Sequence, residues 1–180
     1  AIFIFPLVVS CILMSSQSNY KHKINFSILQ PNIAIKIKNN SDNSLDMVND
    51  LLSQSISSIG PNELLIWPET AFDDYYNDHR VRSLIGVKIR DELSKYRIDL
   101  ITGVFEVNQD RYFNSIYFLN NENNYNLSLA EKYRKQKMVP GAESVPFSET
   151  FPFLKSFGLI GNFARGQEYT IFKHKGFIPF

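Results

Sequence analysis

Short apolar runs and stretches of helical spacing take turns along the chain from Ile24 to Tyr133. Ile24 to Leu29 (INFSIL) alternates imperfectly and stops at Gln30-Pro31, which predicts a short strand and then a loop. From Ser41 to Ile59 the apolar residues Leu45, Val48, Leu52, Ile56 and Ile59 fall at helical spacing. Ser, Asp and Asn at the front suit capping, and Gly60-Pro61-Asn62 ends the helix. Leu64-Leu65-Ile66 reads as a buried strand running into Trp67-Pro68-Glu69. A second helix is predicted over 78–96, with Val81, Ile85, Ile89 and Leu93 on one face. Asp99 to Phe105 (DLITGVF) and Asn114 to Leu119 (NSIYFL) are predicted strands. Asn120 to Asn126 is a polar turn of the hairpin kind, and Leu127 to Tyr133 leads back in. The order strand, helix, strand, helix and then three strands is that of an α/β protein.

The two ends behave differently. The chain begins AIFIFPLVVSCILM, an apolar run broken only by Pro6 and Ser10. A membrane span takes about 20 apolar residues. The run is shorter and lacks a basic leader, so residues 1–16 are expected to be the end of a transmembrane helix rather than a signal peptide. Lys21, His22 and Lys23 follow; the positive-inside rule would favour a cytoplasmic flank for them, but one short cluster does not set the topology. From Pro140 to Arg165, prolines and glycines punctuate a segment filled with Phe147, Phe151, Phe153, Phe157 and Phe163. A loop that long inside a domain is usually functional, and one that apolar has to cover something or be covered.

Composition narrows the field. The chain has 180 residues, 44% of them hydrophobic, enough for one domain with a core. A formal net charge of +1 gives no global signature of nucleic-acid binding. One cysteine, Cys11, excludes an intrachain disulfide and a cysteine zinc cluster. His22, His79 and His174 are scattered without ligand spacing, so neither metal nor cofactor is expected.

Three segments carry candidate chemistry. In LLIWPETA, Glu69 follows a buried strand, and Pro68 biases Trp67 toward an extended backbone. A carboxylate there is expected to be partly desolvated, which would raise its pKa toward that of a general base. Taken alone, an acidic residue at a helix N-terminus is the commoner explanation. In YRKQKMVPGAE a lysine at a strand end can stabilise an oxyanion, but spacing does not choose between Lys135 and Lys137. In YFNS, Asn114 opens a strand and can hydrogen-bond a loop or substrate, although a lone asparagine is more often a turn residue. Glutamate and lysine suit thiol acyl transfer, whose third partner is a cysteine. Cys11, in an apolar run, is expected to stay protonated and structural.

The order of these segments resembles the nitrilase superfamily, which uses a Glu-Lys-Cys triad, and more narrowly the apolipoprotein N-acyltransferases. The WPE(T/S)A box of that family matches Trp67 to Ala71 and implies Glu69 as general base. Its Y-x-K-x-x-(L)-V-P-x-x-E box matches Tyr133 to Glu143, which implies Lys135 as the catalytic lysine and Glu143 as its supporting glutamate. Thr102-Gly103 and Tyr112-x-Asn114-Ser115 fall between the boxes in the family's order, and Phe163 to Gly166 resembles its F-x-x-G turn. Gly141-Ala142 stands where many relatives have Phe-Gly.

The resemblance implies a nitrilase-type α-β-β-α sandwich over 24–180, incomplete here. The nucleophilic cysteine would then lie in an I-C-(Y/F)-E box downstream of Phe180. It also implies a phospholipid acyl donor, an apolipoprotein acceptor, and a monomer in the bacterial inner membrane with its catalytic domain facing the periplasm. Trp67, Asn114, Phe147, Phe151 and Phe157 would meet substrate, the phenylalanines as part of a lid. Two other readings use the same residues: a soluble amidase with the same triad, and a non-catalytic lipid-binding module. The apolar N-terminus and the Phe-rich arm, which a cytosolic amidase does not need, favour the acyltransferase.

Overall fold

The computed structural model describes residues 24–32, 44–59, 63–73, 79–140, 143, 150 and 163–174. The elements are β1 (Phe26–Ile28), α1 (Ser44–Ser58), β2 (Leu64–Ile66), β3 (Phe72–Asp73), α2 (His79–Tyr96), β4 (Asp99–Asn108), β5 (Arg111–Leu119) and β6 (Glu131–Arg134). They form a mixed α/β fold around one sheet of order β1-β2-β4-β5-β6, with β3 also paired to β4. β1, β2 and β3 run parallel to their neighbours, whereas β4–β5 and β5–β6 are antiparallel. The expected transmembrane end falls on residues 1–16, outside the described residues. No helix among the described residues is long and apolar enough to cross a membrane.

Both helices cover one face of the sheet. On α2, Ile85, Ile89 and Leu93 are buried as their spacing predicts. On α1 the buried stripe is Ser44, Met47, Val48, Leu51, Leu52 and Ser55. Leu45 and Ile59 lie only at its margin, so the predicted face is turned by part of a helical repeat. The turned face buries Met47 and Leu51, and with them Ser55. Ser55 Oγ donates to Leu51 O at 2.6 Å and accepts the indole N–H of Trp67 at 2.9 Å. These residues pack with Leu65, Leu100, Val104, Tyr117 and Leu119 in the main core. The other face carries a smaller cluster of Leu64, Ile101, Phe118 and Phe172. Beside it His174 Nδ1 lies 2.7 Å from Asp99 Oδ2, both side chains nearly buried.

Two strands are longer than predicted. β4 and β5 form a continuous hairpin, paired from Leu100↔Leu119 to Asn108↔Arg111. Gln109 and Asp110 turn the corner with φ of 50° and 58°, the left-handed pair that a two-residue hairpin loop demands. Neither is glycine, which is why the sequence gives no obvious hairpin signal there. The turn at 120–125 does form as predicted. Asn120 and Asn123 exchange backbone-to-side-chain hydrogen bonds at 3.0 Å each.

Candidate active site

The site grows out of a break in the sheet. β2 pairs with Asp99–Ile101 and β3 with Val104–Phe105, so both strands occupy the same lane beside β4. Between them Trp67 to Ala71 must pass opposite only Thr102 and Gly103. The surplus backbone loops outward, as in a bulge that re-aims a side chain. Its ends are tied down by Trp67 N–H to Ile101 O at 2.8 Å and Ala71 N–H to Gly103 O at 2.9 Å. Thr70 sits at φ 53°, a strained conformation for a β-branched residue.

Gly103 makes the excursion possible. A Cβ at this position would lie 2.6 Å from Glu69 Cα, 2.8 Å from Thr70 N and 2.9 Å from Pro68 O. All three neighbours are backbone atoms that no rotamer change can move aside.

Glu69 therefore emerges at the carboxyl ends of the parallel strands, where open α/β sheets bind ligands. Its side chain is 66% exposed. This corrects the expectation of a desolvated carboxylate: the bulge carries the residue past the end of the buried strand, into the open.

Lys135 arrives at the same place from β6. Its backbone N–H donates to Asn114 O at 2.8 Å, which carries the ladder one residue beyond the strand. Its ammonium lies 2.8 Å from Glu143 Oε1 and 3.7 Å from Glu69 Oε1. Lys137, which spacing could not separate from Lys135, is exposed and lies outside this cluster. Asn114 is a buried residue within β5 rather than its opening residue. Its amide donates to Glu69 Oε1 at 2.6 Å and Glu143 Oε1 at 3.1 Å, bridging the two carboxylates. Glu143 is anchored by Val139 N–H to its Oε2, and its own N–H returns to Val139 O, both at 2.9 Å.

The electrostatics follow from this geometry. The Glu143 hydrogen bond holds the Lys135 ammonium above the ordinary lysine range; partial burial opposes this, and Glu69 adds to it. Burial works against ionisation of Glu143. The bonds from Lys135, Val139 N–H and Asn114 outweigh it, keeping the carboxylate below the ordinary range. The lysine is thus a fixed cation, suited to stabilising an oxyanion rather than shuttling a proton. Glu69 is the most exposed member of the cluster.

A pocket of about 390 Å³ opens beside the cluster, lined by Ile66, Ile101, Ile116 and Tyr133 together with Glu69, Asn114 and Lys135. Trp67 borders it but does not present its polar group there. The ring is 3% exposed, its N–H is bound by Ser55, and it meets Phe72 edge-on at 6.5 Å. Strand alternation turns most of the ring toward the helices, so Trp67 meets the pocket only at its margin. Phe147, Phe151 and Phe157 lie outside the described residues. No group of metal-ligating side chains occurs among the described residues.

A second carboxylate network, which the sequence did not signal, backs the first. Glu106 is 3% exposed on the helix-covered face and accepts from Arg134 Nε at 2.9 Å, Arg134 Nη2 at 2.7 Å and Ser115 Oγ at 2.8 Å. Lys132 Nζ stands 3.5 Å away. Ser115 and Arg134 are the sequence neighbours of Asn114 and Lys135. Alternation therefore places one network on each face of the same strand pair. Only the pair Lys132 and Arg134 shows a period of two in the sequence; the β4–β5 and β5–β6 register brings Glu106 and Ser115 to the same face.

The molecule is thus an α/β protein with a lysine held between two glutamates at the strand ends of a mixed sheet. The chain belongs to the carbon-nitrogen hydrolase family, whose model matches residues 27–176. Among solved structures it is similar to a CN-hydrolase superfamily protein from Xanthomonas campestris, at 16% identity over 76% of this chain and 45% of that one, TM-score 0.46. It is also similar to an amidase from Nesterenkonia sp., at 12% identity over 74% and 46%, TM-score 0.45. A carbon-nitrogen hydrolase from Helicobacter pylori G27 aligns at 15% identity over 80% and 45%, TM-score 0.44. The chain spans slightly under half the length of each of these proteins.

Proposed function

We propose that this chain forms part of the reaction site of an apolipoprotein N-acyltransferase, which moves an acyl chain from a phospholipid to the N-terminal diacylglyceryl-cysteine of an apolipoprotein. The observation that carries the chemistry is the Lys135 ammonium held between Glu143 and Glu69, with Asn114 bridging the carboxylates. The acyl part of the reading rests on the WPETA and YRKQKMVPGAE boxes and on the apolar walls Ile66, Ile101 and Ile116 of the adjoining pocket.

In this reading the nucleophile is a cysteine thiol brought up to the Glu69–Lys135 cluster. Glu69 takes the thiol proton as sulfur attacks the ester carbonyl, and Lys135 stabilises the tetrahedral oxyanion. The oxyanion collapses to a thioester as the lysolipid alkoxide leaves and takes a proton from Glu69. The acceptor amine then attacks the thioester, Glu69 takes its proton, and the thiolate leaves. Glu143 keeps Lys135 charged and aimed throughout. The phospholipid donor and apolipoprotein acceptor bring the protein to an inner membrane, with this domain on the periplasmic side.

A soluble amidase would use the same three side chains on a small amide; the polar cluster suits it equally, and the apolar walls favour the lipid. The two readings separate in full-length protein. Incubation with acyl-labelled phospholipid should give a hydroxylamine-labile acyl-enzyme, absent in Glu69→Gln. Ammonia release from small amides without that adduct would assign the site to an amidase, and neither product would leave a non-catalytic lipid-binding module. Lys135→Ala should slow acyl-enzyme formation by about 10²- to 10³-fold, the usual cost of an oxyanion donor. An unchanged rate removes Lys135 from the mechanism.

A further inference from the structure

On the helix-covered side of the sheet, where β5 and β6 extend past the helices, four basic side chains converge. Arg111 comes from β5, Lys132 and Arg134 from β6, and Arg165 from the segment that runs along the β6 edge. With Phe113, Gly166, Gln167, Glu168 and Thr170 they line a pocket of about 340 Å³. It lies on the opposite face of the sheet from Lys135 and Asn114. Strand alternation alone puts Arg111, Lys132 and Arg134 on this one face.

The pocket is built rather than incidental. Phe113 is buried and serves as its floor, with the guanidinium carbons of Arg134 and Arg111 at 4.2 and 5.4 Å from the ring centroid. Glu106 clamps Arg134 through two N–H groups, which leaves three of the five guanidinium hydrogens for another acceptor. A guanidinium held over a ring and tied by two hydrogen bonds loses little further entropy on binding. The segment carrying Arg165 is pinned to β6 by Gly166 N–H to Lys135 O at 3.0 Å and Thr170 Oγ1 to Lys132 O at 2.6 Å. Gly166 packs so tightly that a Cβ would meet Arg134 O at 2.1 Å.

The charge does not balance. Glu106 is spent on Arg134 and Lys132, and Glu168 stands on the rim. Among the described residues, four cations face two carboxylates there, an excess of two positive charges. Among the described residues, neither Arg111 nor Arg165 has a carboxylate within ion-pair distance. Arginines in a fixed fork geometry match the oxygens of a phosphate group, and a dianion would neutralise the excess.

We propose that this pocket binds a phosphate group, with Arg111 and Arg165 as its principal ligands and Arg134 as a preorganised third. The phosphate is that of a free phosphate ester or of an anionic lipid headgroup. The inference stands apart from the acyltransferase reading, since no residue of the Glu69–Lys135–Glu143 cluster takes part.

The test uses full-length protein and two probes at low salt. One is inorganic phosphate, followed by calorimetry. The other is vesicles of phosphatidylcholine with and without phosphatidylglycerol, followed by sedimentation. The double variant Arg111→Gln/Arg165→Gln leaves the Glu106 clamp intact and alters two exposed side chains, so its melting temperature should match the parent. Saturable binding of phosphate, of phosphatidylglycerol vesicles or of both, weakened about tenfold or more in the double variant, supports the site. Which probe binds names the source of the phosphate. No binding of either probe, or binding undiminished in the double variant, overturns it.

Discussion

At the scale of single residues, the site is a contest between burial and partner charges. Glu143 loses solvent on entering the fold and would be harder to ionise, but three donors reverse the balance. Lys135 gains from the same contact. Glu143→Gln removes the anion while preserving shape. The variant's Lys135 ammonium should titrate at lower pH than the parent's, and the alkaline limb of the rate profile should move the same way. Side-chain NMR of Lys135 reads the first shift and steady-state kinetics the second. A Lys135 titration unmoved by the change would mean that Glu143 does not hold its charge. The exposed Glu69 shows the opposite case, since strand hydrophobicity upstream does not bury a residue that a bulge then pushes into solvent.

Elements decide where those residues point. Five residues of the WPETA excursion pass opposite two residues of β4, and only a glycine at 103 allows the approach. Gly103→Ala should cost about 1 to 3 kcal/mol of stability, as overpacking against rigid neighbours does. It should also lower kcat more than it raises KM, because the displaced backbone carries Glu69. Gly86 is the natural contrast. It lies inside α2, and an added Cβ would make an ordinary 3.5 Å contact with Leu127. Gly86→Ala should stabilise the protein by about 0.5 to 1 kcal/mol through reduced freedom of the unfolded chain, with activity unchanged. Denaturant melts of the two variants should move in opposite directions.

Across the whole molecule, the buried Glu106 network joins β4, β5 and β6 from behind the Glu69–Lys135–Glu143 cluster. A one-residue slip of β6 would send Lys135 to the helix side, and the Glu106–Arg134 pair opposes that slip. Glu106→Ala leaves Arg134 without its anion and should cost about 3 kcal/mol, the low end for a buried pair because Arg134 keeps some solvent contact. Burial resists ionisation of Glu106, yet Arg134, Ser115 and Lys132 together hold it below the ordinary carboxylate range. Glu106 and Glu143 thus both ionise more readily in the folded protein. Their stabilisation is full above the usual carboxylate range and is lost as pH falls through it toward the depressed folded values. Thermal melts between neutral and acid pH should show this loss, and Glu106→Gln should flatten it.

Much of this was legible in the one-dimensional pattern, and the reason is local. Helical spacing placed Ile85, Ile89 and Leu93 on a buried face, the apolar triplet Leu64–Ile66 made a strand with the predicted bounds, and the asparagine-rich turn closed as its side-chain chemistry requires. The same pattern, with its ordered boxes, picked out Glu69, Asn114, Lys135 and Glu143, which the fold gathers into one cluster. What tertiary structure alone decided depends on register and on contacts between distant segments. It placed Lys135 rather than Lys137 beside the two glutamates, exposed Glu69, sent most of Trp67 to the core, turned the buried face of α1, and brought Glu106 together with residues 9 and 28 positions away. Such outcomes escape any local rule, because whether a strand residue faces solvent, core or site is set by its partner across the sheet.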